Sequence, residues 1–412
     1  MKNLLLALHI FMPTYLLAQS DYVTAAGKFM RYYNNNQADS LFSMYAASVK
    51  TALPLDKTTQ MLSMMRSQFG SLKTLIPQTK AAAYTSFKGD FDKTTLTVIL
   101  ALNKDNQLEG LQFMPYSSPG GNNKEEDNII SGDIHGTLTL AANNNKQPVV
   151  LIIAGSGPTD RNGNSAVGLA SNTYKLLADS LQQHGIASLR YDKRGIGKSA
   201  AGMHSEADLS FEDLINDAVA LVKLLKADNR FSKVYIAGHS EGSLIGMIAA
   251  QREPVDGYIS VAGMGEPFST TLKRQVQQLL PPSQSAISAT LIDSLASGHT
   301  VHCPDNLAMY FRNSVQPYMI SIMKYNPQQE IKKLHTPVLI LQGTTDLQVT
   351  IHDAELLKQA APKAILKKID GMNHVLKTAP MDKAANLATY NKPDLPLQPE
   401  LVSGITAFIS TR

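Results

Sequence analysis

A doubly wound, mainly parallel α/β sheet with a helical cap, preceded by a small α+β domain, is the fold class this sequence predicts. Three observations carry the expectation. From residue 148 onward, short fully apolar runs alternate with stretches of helical periodicity, as parallel strands covered by helices on both faces require. The alternation breaks once, over about residues 265–332, where helical stretches follow one another without a strand. Before residue 115 the order differs: helices come first, then runs of period two, as in an antiparallel meander.

Composition bounds what such a chain can do. At 412 residues it exceeds one average core, so two domains are expected. Apolar content of 43% and charged content of 17% describe a globular chain. The net charge of +4 is spread along the sequence, with no Lys/Arg block or aromatic–basic interleaving, which argues against a nucleic-acid partner. The one cysteine, Cys303, has no internal partner and reads as a small buried apolar residue. No Cys-x-x-Cys or His/Cys cluster offers a metal site.

Residues 1–20 read as a secretory signal. Lys2 supplies the positive end, Leu4 to Leu17 an apolar stretch, and Ala18 the last residue before a cleavage point. No later run is long enough to span a bilayer, so a secreted or periplasmic chain is expected. Residues 21–115 then form the first domain. Helices are expected over Asp21–Tyr33, around Ser40–Val49 and around Lys57–Phe69. Strands are expected at Ala82–Tyr84, Leu96–Leu100 and Leu108–Met114, with turns at Lys88-Gly89-Asp90 and Asn103–Asn106. This segment resembles a small NTF2-like domain of unknown function, and it presents no catalytic constellation of its own. Tyr116 to Asp127, rich in Pro, Gly and charge, is the expected linker, and residues 128–412 are the second domain.

In that second domain, an entering hairpin over Ile129–Leu140 leads to the apolar run Pro148–Ala154. Helices are expected at Ser171–Gln183 and Phe211–Ala227, the latter capped by Ser210, with a strand at Ile186–Tyr191 between them. The centre is Lys233-Val-Tyr-Ile-Ala-Gly-His-Ser-Glu-Gly-Ser243: an apolar strand, a Gly238-His-Ser240-Glu-Gly242 turn, and small or apolar residues at helical spacing after it. That order is a nucleophile elbow, whose strained serine needs neighbours without side chains at two residues before and after. A strand at Gly257–Ala262, the cap at 265–332, a strand at Pro337–Gln342, a helix near His352–Gln359, a strand at Ala364–Ile369 and a helix at Pro399–Ile409 complete the chain. The cap's Met/Tyr-rich run (Met309 to Met323) is expected to contribute some lining to an apolar acyl pocket.

A serine hydroxyl needs a base, and a histidine base needs a carboxylate to fix its tautomer. Asp346 and His374 each sit just past a predicted strand, on the edge that also carries Ser240. Asp370 is the substitute acid, and His239 is set aside because it cannot easily curl back to its neighbour's hydroxyl. Backbone N–H donors for an oxyanion are expected from Glu241, after the nucleophile, and from Ser156 in Gly155-Ser-Gly157. Residues 129–412 thereby resemble an α/β-hydrolase of the serine-aminopeptidase and carboxylesterase-like branch. Gly155-Ser-Gly-Pro158 with Asp160-Arg161 and the loop Asp192-Lys-Arg-Gly-Ile-Gly-Lys-Ser199 carry the likeness, with Ala154 where the branch usually has His. The chain order Ser240, Asp346, His374 is the order of that family. Asp160 and Arg161 either touch substrate or pair within their loop, and the 192–199 loop reads as bracing. The expectation is a secreted serine carboxylesterase acting on a small-molecule ester, with no cofactor. An aminopeptidase or acyltransferase on the same residues, or a non-catalytic binding protein on the same fold, are the alternatives; Glu266 is the one cap carboxylate that could hold a substrate amine.

Overall fold

A computed structural model describes residues 15–80, 84–115, 128–141, 146–165 and 169–411. The chain divides into two compact units, Met1–Pro119 and Gly120–Arg412. The division falls inside the stretch 116–127 read as a linker, which lies outside the described residues, as do residues 1–14 of the expected leader.

Four helices open the first unit: α1 (Tyr15–Asn34), α2 (Ala38–Ser43), α3 (Ala47–Ala52) and α4 (Leu55–Phe69). An antiparallel sheet follows in the order β1 (Leu72–Lys80), β2 (Thr85–Phe91), β3 (Thr95–Leu102), β4 (Leu108–Pro115). Phe29 and Tyr33 of α1, Leu62 of α4, and Phe87, Val98 and Leu100 of the sheet share one core. Helix α1 thus begins at Tyr15, within the stretch read as a leader.

Two expectations for this unit need correction, and one strand was missed. The helix around Ser40–Val49 is broken in two. Leu108 donates to the Met44 carbonyl at 2.8 Å and accepts from Ala46 at 2.9 Å, so the backbone at 44–46 is bonded to β4 instead. Lys88-Gly89-Asp90 is no turn but the middle of β2. A Cβ on Gly89 would come 2.9 Å from the Val98 side chain, so the glycine permits close strand packing. Strand β1 was not foreseen, because it is an edge strand with Pro77 in it and, over Leu72–Gln78, only Leu72 is buried, so it shows no alternation. Of Ala82–Tyr84, the first two lie outside the described residues and Tyr84 precedes β2.

The second unit is built on an eight-stranded sheet. Its strands are β5 (Ile129–Ser131), β6 (Ile134–Thr139), β7 (Gln147–Ile153), β10 (Ala187–Tyr191), β11 (Phe231–His239), β12 (Gly257–Val261), β13 (Val338–Gly343) and β14 (Ile365–Ile369). A separate two-stranded ribbon, β8 (Asn164–Ser165) with β9 (Leu169–Ala170), follows β7. The main order is β14-β13-β12-β11-β7-β10-β6-β5, parallel from β14 to β10 and antiparallel at the entering hairpin. The apolar run of β7 explains its central place. Val149, Leu151 and Ile153 face a core shared with α6 (Phe211–Ala227) and α7 (Glu241–Arg252), while Val150 and Ile152 face α5 (Thr173–Gln183) and α15 (Pro399–Ser410). Helix α6 starts at the expected Ser210, whose hydroxyl and the Asp213 carboxylate form a reciprocal capping box.

Between β12 and β13 lie α8 (Phe268–Leu279), α9 (Pro282–Ala296), α10 (Ala308–Phe311), α11 (Gln316–Met323) and α12 (Pro327–Lys332). Val276, Ile292, Leu295, Leu307, Phe311 and Met319 give this insertion a small core of its own. Phe311, Met319 and Ile322 of the Met/Tyr-rich run are therefore spent on packing rather than on a pocket wall. Helices α13 (Ile351–Ala360) and α14 (Lys383–Ala388) complete the unit.

Candidate active site

Strand β11 hands over to α7 through Ser240, whose φ of 55° and ψ of −120° are strained for a residue with a side chain, at a cost of about 1–3 kcal/mol. The flanking glycines make this turn possible. A Cβ on Gly238 would lie 2.2 Å from the Gly242 oxygen, and one on Gly242 only 2.3 Å from that of Ile153. The Ser240 N–H donates to Val261 at 2.9 Å, tying the turn to the neighbouring strand.

Asp346 and His374 arrive on the loops after β13 and β14, and these loops are in backbone contact. A Cβ on Gly343 would sit 1.9 Å from the Met372 oxygen, and the Thr345 N–H donates to that same oxygen at 3.2 Å. The structure brings the two predicted residues together: His374 Nδ1 is 2.8 Å from Asp346 Oδ2, with both side chains buried. The other Asp346 oxygen accepts the backbone N–H groups of Gln348 (2.8 Å) and Val349 (3.0 Å). Burial works against the Asp346 charge, but the His374 imidazole and these donors outweigh it and hold the carboxyl below its ordinary range. An ionised Asp346 makes His374 Nδ1 the donor and leaves Nε2 as the basic nitrogen. Among the described residues neither His374 Nε2 nor the Ser240 hydroxyl has a hydrogen-bond partner. Asp370, the substitute acid, is exposed and accepts from the Thr344 hydroxyl at 3.0 Å instead.

The loop after β7 runs against the Ser240 turn: a Cβ on Gly155 would meet that of Ser240 at 3.1 Å. Among the described residues the backbone N–H groups of Ser156 and Glu241 have no hydrogen-bond partner. Asp160 and Arg161, left open by the sequence, both turn inward. Asp160 accepts from the amides of Asn162 and Asn164 at 2.8 Å, and burial, with Asp192 nearby, pushes its pKa up to about 6. Arg161 makes a buried ion pair with Asp192 at 2.7 Å. Bracing also describes Arg194, paired with Asp217 at 2.5 Å.

Two residues that sequence reasoning passed over join these parts. The Tyr174 hydroxyl accepts from the Gly155 N–H at 2.9 Å and lies 2.8 Å from His239 Nδ1; His239 Nε2 lies 2.9 Å from the His374 carbonyl oxygen. Only one direction satisfies every group: Tyr174 donates to Nδ1, and a neutral His239 donates through Nε2. Burial, aided by the neighbouring His374, drives the His239 pKa down to about 3. The signal for His239 was its place inside the elbow; Tyr174 gave none, being one of several apolar positions on a helix. The cap reaches the site through Tyr318 of α11, whose phenol is raised by burial and by the Glu241 carboxylate.

Residues 167–378, just over half of the chain and including Ser240, Asp346 and His374, match the family described as serine aminopeptidase, S33. The chain belongs to the serine aminopeptidase S33 family. This family member is accordingly a hydrolase of the α/β-hydrolase fold. Its residues 26–111 match a second family, described as a protein of unknown function (DUF3887). Esterase EstD of Thermotoga maritima is 24% identical over 365 residues, covering 84% of this hydrolase and 86% of EstD. Among solved structures, Est1E from Butyrivibrio proteoclasticus with ferulic acid bound is 19% identical, over 68% of this chain and 96% of its own, with a TM-score of 0.45. An esterase from Exiguobacterium antarcticum is 16% identical over 67% of this chain and 95% of its own, with a TM-score of 0.42.

Proposed function

We propose that the protein is a serine carboxylesterase acting through Ser240, His374 and Asp346. The observation that carries this reading is the buried His374–Asp346 hydrogen bond at the same sheet edge as the strained Ser240. Ser240 Oγ attacks the ester carbonyl as its proton passes to His374 Nε2, and the imidazolium is held by Asp346. The carbonyl's electron pair moves onto its oxygen, which takes the N–H groups of Ser156 and Glu241. Collapse expels the alcohol, which leaves with the proton from His374; water then repeats the sequence on the acyl-enzyme. In the same reading residues 1–20 are removed on export.

An ester rather than an amide is favoured by the likeness to EstD and by the cap. Glu266, the cap carboxylate the sequence offered for a substrate amine, is paired with Arg274 at 2.5 Å. The family description supports aminopeptidase action as the second reading. Hydrolysis of p-nitrophenyl esters of increasing chain length, beside amino-acid p-nitroanilides, separates the two. The esters are expected to turn over, and Ser240→Ala to lower turnover by several orders of magnitude. Turnover of the anilides alone would move the assignment to a peptidase. Failure of the folded protein to react with a fluorophosphonate would leave only a binding role.

A further inference from the structure

Gly155 is held at both ends of its backbone. Its N–H donates to Tyr174 at 2.9 Å, and its carbonyl oxygen accepts from the ammonium of Lys193, whose side chain is buried in the loop after β10. The carbonyl of Gly155 and the N–H of Ser156 belong to one planar trans peptide, so they point in opposite directions. Whatever fixes the oxygen on one side aims the hydrogen to the other. From these contacts we infer that Lys193 is a positioning residue, which sets the Ser156 N–H in the direction an oxyanion needs by holding the Gly155 carbonyl. The inference rests on the ester-hydrolase reading above and deepens it.

The surroundings fit that task better than general bracing. Lys193 projects from a segment that is itself locked. Asp192 takes the Arg161 backbone at 2.9 Å, the Arg161 guanidinium at 2.7 Å and the Lys198 amide at 3.0 Å, and its own carbonyl takes the Ser199 hydroxyl at 2.8 Å. These bonds hold the segment through Asp192, and the Lys193 ammonium takes part in none of them. Its placement is costly, since burial favours the neutral amine; the Glu241 carboxylate acts in the opposite sense. A cation kept at such a cost holds the carbonyl of the very peptide whose N–H is the candidate oxyanion donor.

The test compares Lys193→Met and Lys193→Gln with the wild-type full chain. Methionine fills the space without a donor, and glutamine ends one bond short. The readouts are kcat, KM, the unfolding midpoint, and the inhibition constant of a trifluoromethyl ketone. That ketone takes the Ser240 oxygen onto its carbonyl carbon, puts the charge on oxygen, and leaves the proton on His374. For whichever variant folds, kcat is expected to fall about 10- to 100-fold, with KM within about two-fold. The ketone's inhibition constant should rise by the same factor as kcat/KM falls. A folded variant with kcat within about two-fold of wild type, or with the loss carried by KM, would overturn the role of Lys193 while leaving the esterase reading intact. A wild-type chain that neither hydrolyses esters nor binds the ketone would overturn both.

Discussion

His239 Nε2 lies 2.9 Å from the backbone oxygen of His374. The residue before the candidate nucleophile therefore holds the loop that carries the candidate base. Its other nitrogen, through Tyr174, holds the loop that carries a candidate oxyanion donor. A glutamine presents the same pair of groups, one acceptor and one donor, without a titratable ring. His239→Gln is expected to keep kcat for a p-nitrophenyl ester within about ten-fold of wild type. His239→Leu, which strands both partners, is expected to lose about 100-fold or more. Equal activity in the two variants would remove any coupling through the imidazole.

The same histidine makes stability depend on pH. Held near 3 in the folded chain against 6.5 when free, it takes up a proton on unfolding anywhere between those values. Its contribution is complete above pH 6.5 and is lost as pH falls, by about 1.4 kcal/mol per unit, until the folded pKa is reached. Urea titrations at pH 7 and pH 5 should show a larger loss for wild type than for His239→Gln.

Asp346→Asn is expected to lower kcat by about 10³- to 10⁴-fold, because an amide facing Nδ1 favours the wrong imidazole tautomer. Asp370→Asn should leave kcat within about two-fold, since among the described residues that carboxylate accepts only from the Thr344 hydroxyl. Steady-state kinetics on one ester decides between them.

Gly242→Ala would drive a methyl group to 2.3 Å from the Ile153 backbone oxygen. Thermal unfolding should move down by the equivalent of about 1–3 kcal/mol, with activity lost at temperatures where the variant is still folded. Gly27→Ala is the control. It sits inside α1 with nothing within 4 Å of the added carbon, and a gain of up to about 1 kcal/mol is expected.

The second unit was legible because its signals are local. Runs such as Val149–Ile153 are apolar on both faces, and Ser210 with Asp213 marks a helix start by chemistry alone. The first unit was harder to read because its signals depend on partners. Pro77 sits in a strand only because that strand is an edge, and Gly89 lies in a strand because Val98 crowds it. Within the site, the order of Ser240, Asp346 and His374 could be read from strand ends. Tyr174 and Lys193 could not, since their roles arise where segments distant in sequence converge on Gly155.

Strands β12 and β13 are neighbours in the sheet, yet the whole cap lies between them in sequence. Pairing them closes a long loop, and the entropy of closure grows only with the logarithm of its length, by about 0.6 kcal/mol for each doubling. The sheet is therefore nearly indifferent to how many residues are inserted there. Segments could be added to or trimmed from the cap at little cost to the strands that carry Ser240, Asp346 and His374, so the cap is free to diverge while the candidate catalytic residues stay where they are.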